Sequence, residues 1–94
     1  GPFDVVFIDI DKHAYPQALE LARSRVRVGG YIICDNALWS GNVLLPPSKQ
    51  DADTRGVVRY NKDAMGAADL LTTIVPLRDG VALSLKVAPD KRRR

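Results

Sequence analysis

Two short acidic clusters hold the residues of this chain best suited to chemistry. The first is Asp9-Ile10-Asp11-Lys12, which closes the apolar run Val5-Val6-Phe7-Ile8. The second is Asp35-Asn36, which closes Tyr31-Ile32-Ile33-Cys34. Carboxylate and carboxamide oxygens are hard donors. Three of them, from Asp9, Asp35 and Asn36, with positions left open, are a way to hold a hard divalent cation for catalysis. Magnesium, manganese and calcium all accept such a set.

For those oxygens to meet, the two apolar runs must be neighbours. Continuous Val- and Ile-rich runs read as buried strands of a parallel sheet. Adjacent strands lie ~4.8 Å apart, and ligands bind beyond their carboxyl ends. Phe3 to Asp9 therefore predicts a strand, and Tyr31 to Asp35 a second. Between them, Tyr15, Ala18, Leu19, Ala22 and Val26 recur at helical spacing. They predict a helix from Tyr15 to Val28, opened by Pro16 and stopped by Gly29-Gly30. The unit is βαβ, with a right-handed crossover.

Residues Ala37 to Asp53 predict a long loop, a length that usually has a function. Asp53 is expected to cap a helix from Thr54 to Ala68, with Val57, Tyr60, Asn61, Ala64, Met65 and Ala68 on its inner face and Met65 in the core. A strand from Leu70 to Leu77 follows, then the hairpin signal Asp79-Gly80. The last strand, Val81 to Val87, alternates Val81, Leu83, Leu85 and Val87 with Ala82, Ser84 and Lys86. That pattern predicts an antiparallel strand solvated on one face.

With 94 residues there is room for one domain. The net charge of +3 is more than accounted for by Lys91, Arg92, Arg93 and Arg94, so residues 1–90 form the domain and 91–94 a basic tail. A short basic tail is no nucleic-acid face. No apolar stretch reaches the roughly 20 residues of a membrane span. One cysteine, Cys34, forms no internal disulfide and points to a reducing compartment, the cytoplasm. It is expected to be a small core residue, and His13 a solvated one.

Several segments together resemble a known family. They are FDVVFIDIDK at residues 3–12, Tyr15-Pro16, VGGYIICDNALWSG at 28–41, Asp53-Thr54-Arg55-Gly56, Asn61, and PLRDGV at 76–81. The chain resembles the C-terminal half of the cation-dependent O-methyltransferases that include the caffeoyl-CoA and catechol enzymes. The resemblance implies an α/β fold, half of a Rossmann-like S-adenosylmethionine (SAM) methyltransferase, with a mostly parallel sheet ending in an antiparallel hairpin. It implies SAM and a divalent cation as cofactors, and methyl transfer to one hydroxyl of a vicinal pair on a phenolic ring. Asp9, Asp35 and Asn36 match the metal ligands and Lys12 the general base. Asp9, Asp11 and Tyr15 fall on the cofactor side, and Trp39 and Ser40 on the substrate side. Ala18 stands where many members carry a tyrosine that helps hold the cofactor.

The family's glycine-rich cofactor turn has no counterpart in these residues, so the chain reads as a half-domain, inactive by itself. Val5 to Ile8 is apolar throughout, and as an edge strand it would leave an association-prone edge. A homo-oligomer, or docking with the missing half, is the expected partner state. The alternative is a non-catalytic oligomerisation or metal-binding module of the same fold.

Overall fold

A computed structural model describes residues 3–90; the basic tail at 91–94 lies outside the described residues. The order is β1 (Phe3–Ile8), α1 (Tyr15–Arg25), β2 (Val26–Cys34), α2 (Ala52–Gly66), β3 (Leu70–Val75) and β4 (Val81–Lys86). Short 3-10 turns occupy Lys12–Ala14, Trp39–Leu44 and Pro47–Lys49. The sheet runs β1-β2-β4-β3. β1 pairs parallel with β2, and β4 pairs antiparallel with both β2 and β3. Three strands thus share one direction and β4 alone reverses, which bears out the expected class. No described helix is long and apolar enough to cross a membrane.

Both helices lie on one face of the sheet. Tyr15, Leu19 and Ala22 of α1 join Val57, Tyr60 and Ala64 of α2, and Ile8, Ile32, Cys34 and Ala82 of the sheet, in the core. Met65, expected in that core, is 59% exposed. It falls one residue past Ala64, on the side of α2 turned from the sheet.

Three boundaries move for physical reasons. The first helix ends at Arg25, not Val28, because Val26 already pairs with Phe3 of β1. Gly29-Gly30 is an irregularity inside β2 rather than a helix stop. Gly29 takes φ +89°, and a Cβ on Gly30 would lie 2.5 Å from the Asp4 carbonyl oxygen. The cap of α2 is Asp51, which accepts from Thr54 N–H at 2.8 Å and is held below the usual carboxylate range by the Thr54 side chain and by that bond. Asp53 instead reaches across to His13.

The faces of β4 reverse what polarity suggests. Ala82, Ser84 and Lys86 are the buried set, under the helices, and Val81, Leu83 and Leu85 are half-exposed. Ser84 is satisfied by Thr72, whose hydroxyl also reaches the Ala64 carbonyl. The opposite face carries two apolar rows in register across all four strands. One row is Val5-Tyr31-Leu85-Leu71 and the other is Phe7-Ile33-Leu83-Thr73. No described element covers it, and Phe7 and Leu71 are 58% and 66% exposed. Among the described residues nothing pairs with the outer edge of β1, as expected, and beside it lies an apolar groove of about 330 Å³ lined by Phe3, Val6, Phe7, Ile10, Ala18 and Leu21.

Candidate active site

The register Ile8↔Cys34 ends both parallel strands at the same level. Asp9 and Asp35 therefore leave the sheet side by side. Both carboxylates act on the same Tyr15 hydroxyl, raising its pKa after the larger effect of burial. Tyr15 is sealed from solvent. Its hydroxyl donates to the Asp35 carbonyl oxygen at 3.1 Å and its ring meets Tyr60 edge-on at 5.7 Å. Tyr15 is thus a brace under the strand end. Cys34 beside it is a core residue, as expected, with its thiol pushed up to about 12 by burial.

Lys12 follows Asp9 on the Lys12–Ala14 turn. Its Nζ lies 5.1 Å from the Tyr15 ring centre and 5.5 Å from that of Trp39. Two aromatic faces at that range attract an ammonium. The turn is held from α2. Asp53 accepts from His13 N–H at 3.2 Å and lies 3.3 Å from His13 Nδ1. His13 is exposed, as expected, though not unpartnered. Gly56 makes the close approach feasible, since a Cβ there would sit 2.1 Å from the Lys12 carbonyl oxygen. Asp11 is exposed and opens the turn through its carbonyl, which accepts from Ala14 N–H.

The second cluster is built on unusual backbone. Asn36, Trp39 and Ser40 have φ of 60°, 49° and 53°, and Arg78 in the facing hairpin has 52°. Such left-handed residues cost on the order of 1–3 kcal/mol each and gather at functional sites. The surroundings hold them there. Ala37 N–H donates to the Gly80 carbonyl at 3.0 Å and Leu38 N–H to that of Asp79 at 2.8 Å. Asn61 Nδ2 donates to the Ala37 carbonyl at 2.8 Å from the other side. Gly80 is required where the hairpin meets this loop, because a Cβ would lie 2.6 Å from Leu38 Cγ. Ser40 is exposed, and its N–H donates to Asp79 Oδ1 at 2.6 Å.

The donor set suits a hard cation. Asp35 commits Oδ1 to Asn36 N–H at 2.7 Å, leaving Oδ2. Asn36 uses Nδ2 toward Asp79, leaving Oδ1. Asp9 is exposed. Among the described residues no three His, Cys, Asp or Glu side chains form a metal cluster; the third donor here is an amide. Sequence reasoning grouped Asp9, Lys12, Asp35, Asn36 and Trp39, and the structure gathers them at one end of the sheet. It missed Asp53 as the tether of the Lys12 turn, Asn61 as the loop's anchor, and Asp79, read only as a turn former. Each acts on a partner more than 20 positions away, beyond any local pattern.

The fold and this site define a class. A profile of the O-methyltransferase family matches residues 1–87, and the chain belongs to that family. Caffeoyl-CoA O-methyltransferase from Pinus taeda is 37% identical over 93% of the chain, and caffeoyl-CoA O-methyltransferase 1 from Zea mays is 38% identical over the same share. The chain spans 36% of the length of each. Among solved structures, the O-methyltransferase TomG from Streptomyces achromogenes, in complex with SAM, superposes with a TM-score of 0.86 at 30% identity. It matches 94% of this chain and 41% of that one. The O-methyltransferase from Bacillus cereus in complex with SAH gives 0.81 at 27% identity, over 90% and 40%.

Proposed function

We propose that these residues form the metal- and acceptor-binding half of a SAM-dependent O-methyltransferase that acts on one hydroxyl of a vicinal pair on an aromatic ring, of catechol or caffeoyl type. The observation that carries this reading is the level ending of β1 and β2 at Ile8 and Cys34, directly before Asp9 and Asp35-Asn36, together with Lys12 lying near the Tyr15 and Trp39 rings. Asp9, Asp35 Oδ2 and Asn36 Oδ1 are the ligands for a divalent cation, magnesium in the first instance. Such a cation supplies Lewis-acid chemistry, lowering the pKa of a hydroxyl bound to it. Lys12 Nζ takes the acceptor proton. Trp39 and Ser40 border the acceptor ring, and Trp39 shields Lys12 from water. Asp11, exposed at the same strand end, faces the cofactor side together with Asp9, while Tyr15 supports Asp35 from beneath. Alignment of the ring oxygen with the sulfonium methyl supplies much of the rate.

The cofactor's own binding half belongs, on this reading, to sequence beyond these residues, and the bare apolar face and the β1 groove are the surfaces that receive it. A sheet of this kind is stable when both faces are covered. The test is Asp35→Ala in a polypeptide carrying these residues together with a cofactor-binding half. Metal-dependent methyl transfer to a catechol should disappear, and full turnover would remove the proposed site. The two apolar rows also favour a second reading of the chain by itself, an association module that packs face to face with a second copy. Sedimentation equilibrium decides it, since a monomer at high concentration rules it out.

A further inference from the structure

The geometry points to Asp79 as the positioning residue that orients the Asn36 amide for a cation. This deepens the proposed function and rests on its cation reading. Asn36 has a side chain with two chemically opposite ends, and only the oxygen can ligate a metal. Which end faces the site is set by what the other end meets. Here Nδ2 donates to Asp79 Oδ2 at 3.2 Å. A carboxylate accepts and does not donate, so the reverse orientation would set Oδ1 against like charge. Asp79 therefore holds Oδ1 turned away from the hairpin carboxylate.

The same carboxylate spends its other oxygen on the loop. Asp79 Oδ1 accepts from Ser40 N–H at 2.6 Å, four residues beyond Asn36. One side chain thus grips both ends of the left-handed segment that contains Asn36, Trp39 and Ser40. Its own position is fixed by the β3–β4 hairpin. Gly80 N–H closes the turn on the Leu77 carbonyl at 2.8 Å, and Arg78 and Gly80 both take positive φ. Main-chain bonds from Ala37 and Leu38 hold the hairpin to the loop without the Asp79 side chain. Its removal should therefore free the amide while the fold survives. Partners that orient a metal ligand commonly contribute 10- to 100-fold in metal affinity.

The experiment uses the 94-residue chain, Mn²⁺ alone as the probe, and the side-chain amide resonances of Asn36, assigned by their loss in N36D. In the unsubstituted chain the Asn36 amide protons should exchange slowly and show proximity to the Asp79 methylene. In D79A they should exchange like those of a free asparagine, with the circular dichroism spectrum unchanged. Mn²⁺ affinity, read from free Mn²⁺ by electron paramagnetic resonance, should fall about tenfold in D79A. It should stay within about twofold in the control D63A, whose carboxylate pairs with Arg59 on α2. D79A binding Mn²⁺ like the unsubstituted chain overturns the assignment, as does rapid exchange of Asn36 in the unsubstituted chain. That second readout decides the matter even where D79A fails to fold. An unsubstituted chain that binds no Mn²⁺ overturns the cation reading instead. The two failures are distinguishable because the amide signals report the Asp79 contact without metal.

Discussion

At the carboxyl ends of β1 and β2, polar oxygens stand in or near solvent on a backbone with four non-glycine residues at positive φ between its loop and hairpin. At the other end of the same strands, charge is buried and paired. Arg23 reaches Asp69 through Nε at 3.1 Å and through Nη2, and lies 4.0 Å from Asp90 and 3.7 Å from Glu20. Lys86, 5% exposed, donates to the Arg23 carbonyl in the last turn of α1. Cations at a helix C-terminus meet its dipole favourably, and both helices turn their positive ends toward the carboxylates of the site. The roomier cavity, about 650 Å³, lies at this second pole, and its walls include Glu20, Arg23, Asp69 and Asp90. One pole keeps donors available and carries backbone strain; the other satisfies its charges internally and ties α1 to the ends of β3 and β4. The contrast teaches that polar residues alone do not mark a site. What distinguishes the two poles is whether the oxygens are already spent.

The sharpest way to break this contrast is Arg23→Ala. It takes the countercharge from the buried carboxylate of Asp69, and should cost about 3–5 kcal/mol in urea unfolding. A chain of unchanged stability would show that the second pole is not structural. Gly56→Ala strikes the first pole through packing. The new methyl meets the Lys12 carbonyl and His13 Cα, so stability should fall by about 1–3 kcal/mol. Emission from the single tryptophan, Trp39, should shift as Lys12 is displaced from its ring; a shift without loss of stability, or the reverse, would separate the two roles of Gly56. The effect that appears only away from neutral pH is in alkali. Burial holds the Cys34 thiol at about 12 against an ordinary 9.0, and raises the Tyr15 and Tyr60 hydroxyls as well. The folded chain keeps protons that the unfolded chain releases. Stability should be whole below about pH 9 and decline as pH rises toward 12. Cys34→Ala should flatten the early part of that decline, and a flat profile for the unsubstituted chain would show that the buried cluster is not sealed.

Most of the fold was legible because it is written in local periodicity. The apolar runs before Asp9 and Asp35 gave two strands, the spacing of Tyr15, Leu19 and Ala22 gave α1, and Asp79-Gly80 gave the hairpin. The errors share a cause. Val26 and Val28 suit a helix end or a strand, and only pairing with Phe3 decides between them. Asp53 reads as a cap by its position, yet Asp51 caps α2 and Asp53 bonds His13 instead, a partner 40 positions away. In β4 the apolar set looked like the inside, but a sheet built to be covered twice puts its small residues under the helices it meets here.

By itself the sequence determined which oxygens lie at strand ends, because strand length and turn residues are local properties of the chain. Tertiary structure alone decided which of those oxygens are free. Asp79 turns Asn36, Asn61 anchors Ala37, and Arg23 consumes Asp69, and each pair joins residues 24 to 46 positions apart. Hydrogen bonds and ion pairs act over a few ångströms, so their partners are chosen by the packing of helix on sheet and not by distance along the chain.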